Sequence, residues 1–264
     1  MDLQLKGKIV VVTGGAKGIG AACVEAFAAE GAVPIIVGRS PQDAQKLAKE
    51  IADRGGRADV IEAELSSEDA CRDVIAKILE RHGRIDGIVH NAGVNDGVSL
   101  RHSPADFVGS LGKNILHVFA LTHYALDSLI ETRGFIVNIS SKVADTGQGG
   151  TSGYAASKGA MNALTREWGL DLAQYGIRVN TVSPAEVMTP LYERWMATLD
   201  EPEKFLRERS ALIPLGNRFT TSEEIAAMTV FLASPVSGHT TGQIVYPDGG
   251  YTHLDRAYRP AGDS

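Results

Sequence analysis

Thr13-Gly14-Gly15-Ala16-Lys17-Gly18-Ile19-Gly20 follows the apolar run Ile9 to Val12 and opens directly into a stretch of small, apolar residues with helical spacing. Gly14, Gly18 and Gly20 let the backbone turn tightly and approach a ligand, while the helix start offers free N–H groups and a positive dipole end. A pyrophosphate is the group such a turn holds. Glycine clusters also occur in ordinary turns; what makes this one specific is its place between the first strand and first helix of a βαβ series.

Outward from that turn, short β-branched or apolar runs recur at Pro34 to Val37, Ala58 to Ile61, Gly87 to His90 and Phe135 to Ile139, with two more near Ile177–Val182 and Gln243–Tyr246. Helical patterns lie between and after them at about 18–30, 41–54, 67–82, 104–130, 154–175 and 222–233. Apolar strands alternating with helices predict an α/β fold: one Rossmann-like domain over 1–264, a doubly wound parallel sheet with helices on both faces. Gly31, Gly83, Gly134 and Gly176, each between a helix and a strand, are expected in the left-handed conformation that ends helices. The 190–214 segment falls outside the alternation and is expected to be a substrate lid.

With 264 residues, 44% hydrophobic and 22% charged, the chain suits a single soluble domain with a sizeable core. A formal charge of −6 opposes general attraction to nucleic acid or anionic lipid. No run approaches the ~18 apolar residues of a membrane span, and Met1-Asp2-Leu3-Gln4-Leu5-Lys6 lacks the apolar core of a signal peptide. A cytoplasmic protein acting on a small molecule is the expectation, without nucleic-acid or membrane partners. Cys23 and Cys71 form no C-x-x-C pair and sit in helical patterns, so they read as reduced packing residues and no metal site is expected.

Many dinucleotide folds end the second strand with an acid that binds the adenosine ribose; here the strand ends Gly38-Arg39-Ser40. Arg39 can pair with the 2′-phosphate of NADP, and Lys17 can reach the same anion, although both also suit solvated surface cations. NADP or NAD is therefore the expected cofactor, with NADP slightly favoured. Tyr154 and Lys158 stand four apart at a helix start, on one face. A free phenol has a pKa of about 10 and is a poor base; lowering it by ~3 units takes about 4 kcal/mol, which a nearby ammonium and an oxidised nicotinamide can share.

Taken together, Thr13-Gly-x-x-x-Gly-x-Gly20, Asn91-Ala92-Gly93, Asn114, Ser141, Tyr154-x-x-x-Lys158 and Ser183-Pro184 resemble, in order and spacing over nearly the whole chain, the short-chain dehydrogenase/reductase family. The resemblance implies an NAD(P)-dependent enzyme acting on CH–OH groups with a catalytic tetrad of Asn114, Ser141, Tyr154 and Lys158. In those roles Ser141 bonds the reacting oxygen, Tyr154 exchanges its proton, Lys158 holds the cofactor ribose and tunes Tyr154, and Asn114 holds a relay water. It also implies cofactor contacts from Thr13, Gly14, Lys17, Gly18, Ile19 and Gly20. Glu64 and Leu65 would lie near adenine, Asn91, Ala92 and Gly93 under the cofactor, and Pro184, Val187 and Thr189 beside the nicotinamide. Two residues depart from the pattern: His90 stands where the family often has asparagine, and Ala185 where glycine is usual. A homotetramer is implied, pairing the helix of Tyr154 and the helix of Asn114 across a two-fold, with the tail from Tyr251 onward near another interface.

The expected pocket rim is polar: Asn95 and Asp96, Gln148, and Glu186, with Tyr192, Trp195 and His253 closing it. A steroid needs mostly apolar walls, whereas a sugar needs a partner for nearly every hydroxyl. Asn91-Ala-Gly-Val-Asn-Asp-Gly97, Asn138-Ile-Ser-Ser-Lys142, Thr146-Gly-Gln-Gly149, Pro184-Ala-Glu-Val-Met-Thr-Pro-Leu-Tyr192 and Gly249-Gly-Tyr-Thr-His-Leu-Asp-Arg256 are similar to the bacterial L-fucose dehydrogenases within the family. That resemblance implies oxidation of a free aldose to its lactone. Steroid or other secondary-alcohol oxidation and 3-oxoacyl reduction are the alternatives.

Overall fold

Successive residues of a strand face opposite sides of a sheet, so the run Ile9–Thr13 serves two cores at once. Val10 and Val12 pack with Phe27, Leu47, Ile225 and Val230 on one face; Ile9 and Val11 pack with Ile75, Ile78, Leu121 and Leu129 on the other. Burial on both faces is why this strand is a continuous β-branched stretch rather than an alternating one. The structure, a computed structural model, describes residues 1–255.

Its strands are β1 (Ile9–Thr13), β2 (Val33–Gly38), β3 (Asp59–Glu62), β4 (Gly87–His90), β5 (Phe135–Ile139), β6 (Arg178–Val182) and β7 (Ile244–Val245). They form one parallel sheet ordered β3-β2-β1-β4-β5-β6-β7, with Val11 opposite both Ile35 and Ile88. The chain winds outward from β1 to β3 and then returns to place β4 on the other side of β1. That reversal opens a crevice beyond the C-terminal ends of β1 and β4, where ligands bind in open α/β sheets. The expected Rossmann-like single domain is present.

The helices are α1 (Gly18–Ala29), α2 (Pro41–Asp53), α3 (Glu68–His82), α4 (Pro104–Leu111), α5 (His117–Thr132), α6 (Ser152–Asp171), α7 (Pro190–Met196), α8 (Pro202–Ala211) and α9 (Ser222–Ala233). Their starts are chemically marked. Ser103 with Asp106 caps α4 and Thr221 with Glu224 caps α9, each pair satisfying two otherwise free backbone donors. Glu68 and Asp69 at the start of α3, with Arg81 and His82 at its end, complement its dipole.

Several expectations need correction. The single helix expected at 104–130 is interrupted by a π-helical turn over Gly112–Leu116, and that turn carries Asn114. The helix expected from 154 begins earlier, at Ser152, and stops at Asp171 before a separate 3₁₀ turn at Ala173–Tyr175. Gly31, Gly83 and Gly176 adopt φ of 76°, 72° and 74°, but Gly134 is not left-handed; Arg133 takes that role at φ 49°. Gly134 is glycine for space instead, since a Cβ there would lie 2.6 Å from the Asp86 carbonyl oxygen. The 190–214 segment contains α7 and α8, neither with a buried residue.

Candidate active site

Four hydrogen bonds tie the end of β1 to the end of β4. The Thr13 hydroxyl accepts from the N–H groups of Asn91 and Ala92, both at 3.0 Å, and the Asn91 side chain donates to the carbonyls of Thr13 at 2.9 Å and Gly14 at 3.1 Å. Thr13 is fully buried, so its hydroxyl positions the crevice wall and does not face a ligand. Gly20 permits this closeness: a Cβ there would stand 2.2 Å from the Gly14 carbonyl oxygen and 2.5 Å from Asn91 Nδ2.

The N-terminus of α1 carries no side-chain cap and no acid in its first turn, so its free N–H groups point into the crevice unopposed. Gly18 approaches Thr189 across the loop after β6, and Gly93 leaves clear the space beside Asn114 and Lys158. These features fit a dinucleotide running from the glycine turn toward Lys158. Arg39 and Glu64, both exposed, meet at 3.3 Å at the ends of β2 and β3, and Lys17 meets Asp43 at 2.7 Å. Leu65 packs on the core, and Val187 is buried with its backbone bridged to Thr220. Pro184 is buried beside it, and Ile19 lines the same core from α1.

Asn114, Ser141, Tyr154 and Lys158 come together at the C-terminal edge of the sheet. Asn114 is fully buried in the π turn; its Oδ1 accepts from the Val94 N–H at 2.7 Å and its Nδ2 donates to the Ser110 carbonyl at 2.9 Å. The first bond ties the loop after β4 to the π turn, and the second holds the side chain against the last turn of α4. Ser141 caps the short turn Lys142–Ala144 and hydrogen-bonds the Tyr154 phenol. Lys158 is buried, donates to the Ile139 carbonyl at 2.7 Å, and lies 5.5 Å from the centre of the Tyr154 ring.

Burial dominates the electrostatics of the pair. Burial pushes the Tyr154 phenol up to about 12, with the Ser141 hydrogen bond only partly offsetting it. Burial also pulls Lys158 down to about 8. His90, in its departing position, is wholly buried and bonds Thr122 Oγ1 at 3.0 Å.

The expected substrate residues divide. Asn95 and Gln148 are exposed on loops, and Trp195 is 47% exposed. Asp96 is engaged by α4 and the π turn, accepting from Ser110 Oγ at 2.8 Å and Lys113 Nζ at 3.2 Å. Glu186 is buried and accepts from the Tyr192 hydroxyl at 3.0 Å; burial, then the Glu186 charge, raises the Tyr192 phenol and keeps it a donor. Tyr192 stands edge-on to Trp195 and Phe219, at 5.2 and 5.3 Å. His253 packs on Tyr246 at 4.6 Å, and Arg256 lies outside the described residues with the rest of the expected tail interface to residue 264. Sequence reasoning missed Lys142, which pairs with Glu186 inside the protein. Its signal was adjacency: it directly follows Ser141.

Among the described residues no helix is long and apolar enough to cross a membrane, and no cluster of three or more His, Cys, Asp or Glu is arranged to hold a metal. Residues 14–252 match the family model described as enoyl-(acyl carrier protein) reductase. The chain is 37% identical to the 3-oxoacyl-(acyl-carrier-protein) reductase of Thermotoga maritima, over 94% of this chain and 99% of that one. It is 36% identical to the L-fucose dehydrogenase of Bos taurus, over 94% and 91%. The crystal structure of Cj0485 dehydrogenase superposes with a TM-score of 0.93 at 42% identity, covering 98% of this chain and 99% of that one. The glycine turn, the tetrad and these relatives make the chain an NAD(P)-dependent oxidoreductase acting on CH–OH groups, a member of the short-chain dehydrogenase/reductase family.

Proposed function

We propose that the protein oxidises a free aldose at its anomeric carbon to the lactone, with L-fucose or a sugar of matching configuration as substrate. The observation that carries this reading is the buried carboxylate of Glu186, bonded to Tyr192 at 3.0 Å, two residues past Pro184 at the end of β6. That carboxylate already holds Lys142 on one oxygen and Tyr192 on the other, and its remaining lone pairs can take a sugar hydroxyl that an apolar steroid does not offer. Similarity to the L-fucose dehydrogenase of Bos taurus supports the same choice.

In this reading Ser141 donates to the C1 oxygen and holds it against Tyr154, which takes the hydroxyl proton. Lys158 holds the cofactor ribose, and Asn114 keeps the loop after β4 in place beneath it while serving the relay water. Asn95 and Gln148 orient outer hydroxyls, Glu186 and Tyr192 inner ones, and α7 with Trp195 forms the lid. NAD(P) supplies the hydride acceptor and, when oxidised, the positive charge that draws the buried phenol toward ionisation.

A 2′-phosphate would draw Arg39 and Lys17 from Glu64 and Asp43 onto one stronger anion, so NADP serves at least as well as NAD. The free, buried Cys23 and Cys71 suit a reducing cytoplasm, and the assembly is a homotetramer. Reduction of a 3-oxoacyl thioester is the second reading, favoured by the 37% identity to the Thermotoga maritima reductase.

One screen of nicotinamide absorbance separates these. L-Fucose, D-arabinose, L-galactose, a steroid alcohol and a 3-oxoacyl thioester are each offered with both cofactors. Sugar oxidation with NADP at least equal to NAD is expected. Activity on the steroid or the thioester with none on the three sugars overturns the substrate, and strong NAD selectivity overturns the cofactor preference.

A further inference from the structure

Lys142 and Glu186 stand 44 positions apart in sequence and form an ion pair with side chains only 10% and 9% exposed. Removing two charges from water is costly, and a well-packed apolar pair often holds a fold as well or better. The two loops do not need the pair to stay together. The Lys142 N–H already donates to the Pro184 carbonyl at 2.9 Å, and the Thr220 N–H donates to the Glu186 carbonyl at 3.0 Å.

The pair lies where the chemistry is. Lys142 follows Ser141 beyond β5, and Glu186 lies beyond the adjacent β6, both at the C-terminal edge of the sheet. Glu186 spends one oxygen on Lys142 and the other on Tyr192. Lys142 spends one N–H on Glu186 and lies 4.4 Å from the centre of the Tyr251 ring. Two ammonium N–H groups and lone pairs on both carboxylate oxygens therefore remain available.

We propose that Lys142 and Glu186 together form a subsite that reads adjacent hydroxyls of a neutral polyol and disfavours an anionic substrate. A hydroxyl both donates and accepts, so an ammonium beside a carboxylate serves one hydroxyl twice or a vicinal pair once each. An alkyl chain leaves both charges without new partners. A sugar acid gains Lys142 but meets the Glu186 charge, and the pair's own neutrality removes any net attraction for it. The assignment rests on the free-sugar reading and adds Lys142 to it as a specificity residue.

The test compares the wild type with Lys142→Met, Glu186→Gln and the double variant, which removes both charges and leaves neither orphaned. Rates on L-fucose are measured with NADPH affinity followed by its fluorescence, and D-galacturonate is added as an anionic competitor. KM for the sugar is expected to rise by about tenfold or more in each variant, the loss of a charge-assisted hydrogen bond, with NADPH affinity unchanged. Glu186→Gln should also gain inhibition by D-galacturonate at concentrations that spare the wild type. Sugar kcat/KM within about threefold of wild type in the double variant, or no gained inhibition in Glu186→Gln, overturns the subsite while the sugar reading stands. A wild type that ignores sugars but turns over the steroid or the thioester overturns both.

Discussion

Replacing Tyr154 by phenylalanine removes one oxygen and leaves the packing of a buried ring almost unchanged. Hydride transfer should fall by roughly 10²–10⁴-fold, the usual contribution of a positioned acid–base group, while cofactor affinity holds because Lys158 and the glycine turn are untouched. Stopped-flow turnover with a parallel fluorescence titration checks this; unchanged turnover refutes the role. His90 makes a second prediction from its surroundings. Burial first, then the charges of His117 and Lys158, push its pKa down to about 3, and burial holds His117 near 4. The unfolded chain protonates its histidines near 6.5 and the folded chain does not until far lower, so the unfolded state binds more protons across that window. Stability is therefore intact above pH 6.5 and lost as pH falls below it. At pH 4.5 the His90 share is about 3 kcal/mol, at ~1.4 kcal/mol per unit. His90→Asn should narrow the gap between urea midpoints at pH 7 and pH 4.5; an unchanged gap shows that other groups drive acid unfolding.

Among elements, the start of β5 shows how the same residue type serves different needs. Gly134→Ala would put a Cβ 2.6 Å from the Asp86 carbonyl oxygen and 2.9 Å from Leu129 Cδ2, contacts that force strand and helix apart. Gly83→Ala meets nothing within 4 Å and suffers only the left-handed φ of 72°. Denaturant titration should show a loss of about 2–3 kcal/mol for the first and about 1 for the second. The reverse order would mean that the left-handed φ at Gly83 costs more than the lost space at Gly134. Sequence could not separate them, because each glycine sits between a helix and a strand. The strands were legible, since burial on both faces writes runs rich in apolar and β-branched residues, and their ends were off by at most one residue, as at Ala58 and Ile177. Tyr154 and Lys158 were legible as a pair because spacing along a helix is local, whereas Asn114 and Ser141, on other elements, entered only through the family resemblance. The π turn at Asn114 was not, since nothing in Gly112-Lys113-Asn114 distinguishes it from an ordinary helical turn. Nor was the Lys142–Glu186 pair, which exists only because the ends of β5 and β6 meet.

At the scale of the whole molecule, the neighbouring helices α4, α5 and α6 present apolar surface that one chain leaves uncovered. Val108, Leu116 and Phe119 are 63%, 62% and 57% exposed, and Leu170 on α6 is 80% exposed. Phe119 joins the two longer helices, lying 6.2 Å from both His123 on α5 and Trp168 on α6. Between α3 and α5 a groove lined by Leu65, Leu116, Ala120 and Tyr124 continues the same face. Gly109, Gly112 and Gly159 have nothing within 4 Å of where a Cβ would stand, so a neighbouring helix can come close there. A contiguous apolar face of this kind marks an interface more often than bare surface. Closed two-fold pairing would cover it with its own copy, burying the face of one chain against the same face of another. Light scattering at micromolar concentration should give about four times the 28.0 kDa chain mass. The double substitution Leu116→Lys and Phe119→Glu places charges in that face and should lower the mass to dimer or monomer, because burying them unpaired costs several kcal/mol. A monomeric wild type would refute the assembly. A tetramer that survives the double substitution would move the interface to another face.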